Sequence, residues 1–249
     1  MTSNSSTLQD AYRAGTITWT GPMMMVFSRF VFALLFQALT AALFALRGDL
    51  QPWFSAGPWW TVYGSLIDLA CLATMAILLR REGLPFSSLL DFDRTLFWKD
   101  IRFALVLLLL FLVLALGGGT VAGILIYGGP APSPMGGLPL AGALYSLIVW
   151  PALWGFTEQL TYMGYVLPRL QILGGKTWLA IVIITFGWGL QHTALPFLFD
   201  WQFALFRLVS TLPFAVIIPI YLHTRRLTPF MLAHWGVDAL AVALTSFFP

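Results

Sequence analysis

Seven stretches of almost uninterrupted apolar residues follow one another along the chain, with short polar segments between them. Each is close to the length of about 20 residues that an α-helix needs to cross the hydrocarbon core of a bilayer. The expected spans are 23–46, 59–79, 103–127, 140–167, 178–199, 203–222 and 229–248. This pattern predicts an all-α, polytopic transmembrane helix bundle of about seven spans, with an eighth, partial span as the alternative.

The composition excludes an ordinary soluble enzyme. The chain of 249 residues is 59% hydrophobic and 9% charged, whereas a soluble domain carries roughly a quarter charged residues. The basic residues are scattered and form no stripe, so nucleic acid is not an expected partner. The one cysteine, Cys71, lies in an apolar run and can form neither an intramolecular disulfide nor a cysteine metal cluster.

The chain divides into a polar N-terminus at 1–22 and one transmembrane domain at 23–249. The N-terminus lacks the basic and apolar pattern of a cleaved signal peptide. The fourth span is long for one straight helix, which predicts a tilt or a break. Three consecutive glycines at 117–119 predict a bend in the third span or a close approach of another helix.

Loop charges orient the bundle, because Lys and Arg are retained on the cytoplasmic side. The basic residues in the loops after spans two, four and six are Arg80, Arg81, Arg94, Lys99, Arg102, Arg169, Lys176, Arg225 and Arg226. The intervening loops contain only Arg47 and Arg207. This alternation predicts a cytoplasmic N-terminus. We expect the membrane to be the inner (plasma) membrane of a bacterium. Segment 83–102 mixes apolar and charged residues and is expected to be an amphipathic helix on the cytoplasmic surface.

Ionisable side chains within spans are costly and are candidates for function. Six are expected there: Arg29, Asp68, Glu158, His192, His234 and Asp238. Arg29 and Asp68 lie on adjacent spans, and we expect them to form a structural ion pair. The other four occur on three helices of the second half of the chain.

Each of these four lies in a local pattern at helical spacing. Glu158 and Tyr162 are one turn apart, as are the neighbouring Gln159 and Met163. The next motif has Trp188 one turn before His192, with Gly187 and Gly189 allowing another helix to come close. In the third motif, Asp238 follows His234 by four residues, so the imidazole and the carboxylate lie one above the other on one helix face.

Two kinds of hydrolytic chemistry suit these residues. A carboxylate beside an imidazole in an apolar pocket can act as a general base for water, and a second histidine can donate a hydrogen bond to a tetrahedral oxyanion. Alternatively, Glu158, His192, His234 and Asp238 could bind a divalent metal such as zinc. The His-Glu-x-x-His pattern of common zinc proteases is absent from the sequence, so the use of a metal stays open.

The three motifs resemble those of the CPBP intramembrane proteases, which include type II CAAX prenyl endopeptidases and bacteriocin-processing and immunity proteins. The family pattern is Glu-Glu-x-x-x-Arg, then an aromatic residue one turn before His, then His-x-x-x-Asn/Asp. The similarity covers about 144–246, with the motifs in order. It implies that Glu158 and His192 activate a water, while His234 and Asp238 support the oxyanion or bind a metal. Gln159, Tyr162 and Trp188 are expected to support the site.

The first motif departs from the family pattern, because Gln159 and Met163 replace its second glutamate and its arginine. One interpretation is that two neutral residues replace a structural ion pair. Because both charges are lost together, no unpaired charge is left buried. The other is a member that has lost proteolysis and keeps a binding or scaffolding role. An ionised Asp238 would also repel an oxyanion, so it must be protonated, orient His234 or bind a metal.

The sequence therefore predicts an intramembrane endopeptidase that hydrolyses a peptide bond of a membrane-associated peptide or protein. The rival hypotheses are a non-proteolytic membrane partner, such as an immunity or scaffold protein, and a proton-coupled transporter. Paired broken helices in an internal repeat, which a transporter would favour, are not visible in the sequence. Neither the substrate nor the oligomeric state follows from the sequence.

Overall fold

The computed structural model describes residues 2–132 and 137–247, and its regular elements there are all helical. The α-helices are α1 (Thr2–Arg13), α2 (Thr20–Leu46), α3 (Pro52–Ala56), α4 (Trp60–Glu82), α5 (Phe97–Tyr127), α6 (Leu140–Ile148), α7 (Trp150–Gln159), α8 (Leu167–Gly174), α9 (Thr177–Thr193), α10 (Trp201–Thr211), α11 (Ile217–Thr224) and α12 (Thr228–Phe247). Short 3-10 turns precede α4, α5 and α11. The prediction of an all-α polytopic bundle is confirmed.

The expected spans coincide with these helices. In the described parts of the chain, six helical segments are long and apolar enough to cross a membrane. The fifth expected span corresponds to α9, which has 17 residues and is therefore about 25 Å long at 1.5 Å per residue. Since this is close to the bilayer thickness, seven crossings stay a prediction.

The outer face of the bundle is apolar, as lipid contact requires. On α5, more than half of the surface of Leu105, Leu109, Val113 and Leu116 is exposed. A soluble protein rarely exposes such a continuous apolar surface. The chain is therefore an integral membrane protein.

The fourth expected span is broken, as its length predicted. It consists of α6, α7, a π-helical segment at Leu160–Val166 and then α8. In a straight α-helix, Glu158 and Arg169 would share a face, because eleven residues make about three turns. The wider turns of the π-helix change this phase, so that Glu158 faces α9 while Arg169 binds Glu82 on α4 at 2.5 Å.

The expected amphipathic helix at 83–102 is wrong. The segment forms 3-10 turns at Phe86–Leu89 and Arg94–Leu96, and α5 begins at Phe97. Between the turns, Asp91 accepts hydrogen bonds from the backbone N–H groups of Leu227 and Thr228. The segment is extended here because Asp91 binds the N-terminal end of α12, which a helix along the surface would not permit.

Glycines allow the helices to pack closely where the sequence predicted it. A Cβ atom on Gly187 would lie 2.6 Å from the side chain of Val26 on α2. A Cβ atom on Gly118 would lie 2.5 Å from the carbonyl oxygen of Ser210 on α10. Helix α5 continues through its three glycines; Gly118 provides the close approach, whereas nothing lies within 4 Å of a Cβ atom on Gly117 or Gly119.

Candidate functional site

Glu158 lies in the last turn of α7 and is fully buried. Two side chains of α9 donate hydrogen bonds to it: the indole N–H of Trp188 to Oε1 and the amide of Gln191 to Oε2. Hydrogen bonds to both oxygens stabilise an ionised carboxylate. The long side chains of Trp188 and Gln191 thus give a carboxylate in the membrane interior two hydrogen-bond donors.

The orientation of the Gln191 amide follows from its other partners. Its Oε1 atom accepts hydrogen bonds from Nε of Arg29 at 2.6 Å and from the hydroxyl of Tyr162 at 3.1 Å. Both partners are donors, so the NH₂ group must face Glu158. Tyr162 also stacks on Trp188, with ring centroids 5.6 Å apart, which confirms that it contacts the candidate site.

Arg29 is the cation closest to this carboxylate. Its Nη1 atom lies 2.8 Å from Oδ1 of Asp68, which confirms the predicted ion pair. Its Nε atom lies 3.9 Å from Oε2 of Glu158, and its guanidinium stacks on Trp154 at 4.0 Å from the ring centroid. Arg29 is thus shared between two buried carboxylates, a role that the sequence did not indicate.

His234 on α12 lies across from Glu158. Its Nε2 atom is 3.7 Å from Oε1 of Glu158 and 3.4 Å from Oδ2 of Asp238. The amide nitrogen of Gln159 lies 2.9 Å from Nδ1. An amide NH₂ only donates, so Nδ1 accepts and Nε2 carries the proton. This N–H therefore faces the two carboxylates.

His192 lines the same cavity but is held differently. Its Nδ1 atom lies 2.7 Å from the backbone carbonyl oxygen of Trp188. Because a carbonyl only accepts, Nδ1 is protonated and Nε2 keeps its lone pair. Within the described residues, no direct hydrogen bond or ion pair joins His192 to Glu158, and a water held between them stays a prediction.

A cavity of about 250 Å³ connects these groups. Its walls are largely aromatic, with Trp60, Trp150, Trp154, Trp188 and Phe111 among them. All four predicted catalytic residues line it. The arrangement therefore brings Glu158, His192, His234 and Asp238 around one space in the membrane interior.

The structure corrects the expected position of Arg207. It lies in α10 and lines the cavity, where Nε donates a hydrogen bond to the carbonyl oxygen of His192 at 3.2 Å. Arg207 was counted among the loop residues because it is basic, although it lies within the expected span 203–222. The apolar residues on both sides of Arg207 were the signal for a buried position.

Gln159, which stands where the CPBP pattern has its second glutamate, has a contact within the site. Gln159 is fully buried and binds His234, whereas Met163 is fully buried in the core. Gln159 thus contacts the candidate site directly, in addition to any pairing along its own helix. Its Oε1 atom has no hydrogen-bond partner among the described residues.

The donor chemistry of the four residues suits zinc, but their arrangement does not. Within 2–132 and 137–247, no three His, Cys, Asp or Glu side chains form a group that could hold a metal ion. Both oxygens of Glu158 already accept hydrogen bonds, and Nε2 of His234 carries a proton that a metal ion would have to displace. The ligands would have to rearrange before they could coordinate zinc.

Comparison with known families matches residues 140–240 to the type II CAAX prenyl endopeptidase Rce1-like family. Comparison with the curated proteins and with the solved structures gave no match. The matched range contains all three motifs and every cavity residue from α6 to α12 that was predicted to be catalytic. Residues 140–240, which contain the three motifs, are thus similar to this family.

Proposed function

We propose that the protein is an intramembrane endopeptidase that hydrolyses a peptide bond of a membrane-associated peptide or protein. The observation that supports the proposal is the meeting of Glu158, His192, His234 and Asp238 around one cavity. A CAAX-type protease is also the family expectation. We further propose that it works in a bacterial plasma membrane, with a cytoplasmic N-terminus.

The proposed reaction uses a water molecule between Glu158 and His192. The lone pair on Nε2 of His192 and the carboxylate of Glu158 are the available bases, and either can take the proton as the water attacks the peptide carbonyl. The oxygen of that carbonyl gains negative charge in the tetrahedral intermediate. The Nε2–H group of His234 is the donor that stabilises it. The intermediate then collapses as its C–N bond breaks, and the base that took the proton from water returns it to the leaving amine.

Asp238 and Gln159 have supporting roles in this proposal. Gln159 holds Nδ1 of His234, which keeps the proton on Nε2. Asp238 lies 3.4 Å from the same Nε2 atom and orients the imidazole. The charge of Arg207 lies on the cavity wall and offsets the negative charge that the reaction creates.

Cleavage of a panel of membrane-protein segments and lipid-modified peptides by the purified protein tests the proposal. The Glu158→Gln, His192→Ala and His234→Ala variants are each expected to lower the cleavage rate at least 100-fold, since general bases and oxyanion donors contribute about 10²–10⁴-fold each. The matched control is His223→Ala, because His223 is exposed and lies outside the cavity. Cleavage that survives all three substitutions would refute the mechanism.

The same preparation separates the remaining hypotheses. Loss of activity with a chelator, restored by zinc, would assign the metal-dependent reaction and require the ligands to rearrange. Wild-type protein that cleaves no peptide of the panel but still binds some of them would favour the non-proteolytic partner. Proton transport into vesicles that depends on Glu158 would favour the transporter.

A further inference from the structure

The basic loop residues lie together at one end of the bundle. The ion pairs Arg169–Glu82 and Arg226–Asp100 join the ends of four helices there. We refer to this end, which contains Arg80, Arg81, Arg102, Lys176 and Arg225, as the basic end. Helices α5, α9 and α12 all begin at this end, so residue position along each helix measures distance from it.

The site cavity extends away from the basic end. Trp60, in its wall, is the first residue of α4 and lies at the far end of that helix from Arg80. Gly119 and Ala241 also line the cavity, and they lie about 33 Å and 20 Å along α5 and α12 from the starts of these helices, at 1.5 Å per residue. Both are half-buried, in contrast to the fully buried Glu158. The deep part of the cavity thus lies in the middle of the bundle and its rim lies toward the opposite end.

The route from the site to the basic end is closed by packed side chains. Tyr162, Met163, Val166, Leu227 and Phe230 lie between them and are at most 1% exposed. A second cavity of about 780 Å³ lies at the basic end, where Asp91 and Arg225 contribute to its walls. The two cavities share no lining residue.

The distribution of charge identifies the two faces of the membrane. Lys and Arg are retained in cytoplasmic loops, and the basic end carries nearly all of those in the described loops. At the opposite end, the basic residue in the described loops is Arg47, because Arg207 lies within α10. The basic end is therefore cytoplasmic, and the rim of the site cavity is on the extracytoplasmic side.

We propose that the site receives its substrate from the extracytoplasmic half of the membrane, through the rim formed by α5, α10 and α12. Because Ala115, Phe206 and Ala241 on this rim are apolar, the substrate class is an apolar segment of an exported or membrane-inserted polypeptide. The substrate part of this inference rests on the proposed endopeptidase function, whereas the accessibility of the cavity does not.

Cysteine accessibility tests the direction of entry without requiring activity. In a Cys71→Ala background, single cysteines are introduced as Ala241→Cys or Gly119→Cys on the rim, and as Leu90→Cys in the second cavity. Nothing lies within 4 Å of a Cβ atom on Gly119, so a side chain is tolerated there. Each variant also carries Glu158→Gln and is treated with a charged, membrane-impermeant thiosulfonate, in intact expressing cells and in inside-out vesicles.

We expect the two rim variants to react at least tenfold faster in intact cells, and Leu90→Cys to react at least tenfold faster in inside-out vesicles. Rim labelling from the same side as Leu90→Cys would overturn the proposal, as would rim cysteines that react from neither side. Labelling of Leu90→Cys from outside would overturn the assignment of the faces. An inactive wild-type protein with the expected labelling would refute the proposed function but leave the direction of entry in place.

Discussion

At the scale of single residues, Gln191 joins Glu158 to two side chains outside its own helix, Arg29 and Tyr162. Its amide accepts hydrogen bonds from Arg29 and Tyr162 and donates one to Glu158. The sequence marked it only as a polar neighbour of His192. Its role could not be predicted, because its partners are 29 to 162 residues distant in the chain.

Gln191→Leu should lower kcat about 100-fold and leave KM nearly unchanged. Loss of the amide removes one donor from Glu158 and lets the carboxylate turn, and a displacement of 1 Å can cost about 10²-fold. The rate and KM are measured on any peptide that the wild type cleaves. Gln9→Leu, at an exposed position of α1, is the control.

Gln191→Glu gives a second measurement at the same position. It preserves the size of the side chain but places a carboxylate against Glu158, so we expect a loss at least as large as with Gln191→Leu. Wild-type kcat in both variants would show that the hydrogen bonds of Gln191 do not position Glu158.

The four residues that line the cavity were proposed from the sequence for one reason. Glu158, His192, His234 and Asp238 are ionisable groups in apolar spans, and such groups are rare enough to be noticed in the sequence. The orientation of the His192 imidazole could not be predicted. It depends on the carbonyl oxygen of Trp188, which holds the imidazole and which no sequence pattern displays.

At the scale of helices, Gly155 determines how closely α7 and α12 approach. A Cβ atom on Gly155 would lie 2.9 Å from the backbone nitrogen of Trp235 and 3.1 Å from the carbonyl oxygen of Met231. Both atoms belong to the backbone, which cannot move aside as a flexible side chain can. This contact brings Glu158 of α7 to His234 of α12.

Gly155→Ala should therefore push α12 away from α7 and lower the cleavage rate at least tenfold, because the separation of Glu158 and His234 increases. Gly117→Ala is the matched control: nothing lies within 4 Å of its Cβ position, and alanine raises helix stability by about 1 kcal/mol at an exposed site. Peptide cleavage and thermal unfolding in detergent are measured for both. Equal activity of the two variants would contradict the role of this close approach.

At the scale of the whole molecule, buried polar contacts join the matched region, residues 140–240, to the helices that precede it. Arg29 contacts Gln191, Glu82 binds Arg169, and Gln37 binds both backbone polar groups of Phe197. Hydropathy predicted the helices to within a few residues. It could not predict these contacts or the cavity between the helices, because both depend on which helices are neighbours and how they are rotated.

Arg29 contacts Asp68 within the preceding helices and Gln191 in the matched region, so substituting it measures how much these buried contacts stabilise the protein. Arg29→Met leaves buried carboxylates uncompensated and should lower the free energy of unfolding by about 3–5 kcal/mol. Adding Asp68→Leu should restore part of that loss, since neither charge of the pair then remains. Denaturant unfolding in detergent measures both variants.

The exposed pair Arg13–Asp10 provides the control, because its side chains are 76% and 71% exposed at 3.8 Å. Arg13→Met should change the free energy of unfolding by no more than about 1 kcal/mol. Equal effects of Arg29→Met and Arg13→Met would show that the buried contacts of Arg29 do not stabilise the protein.

The π-helical segment at Leu160–Val166 lies between two buried contacts, that of Glu158 with α9 and that of Arg169 with α4. Glu158 is held by α9 above the segment, and Arg169 is held by Glu82 below it. Deleting one residue between them would turn the lower helix by about 100°, the rotation of one α-helical residue, and one of the two contacts would break. The number of residues in this segment therefore fixes the rotation of α8 relative to α7. Both contacts can form only if that number stays the same.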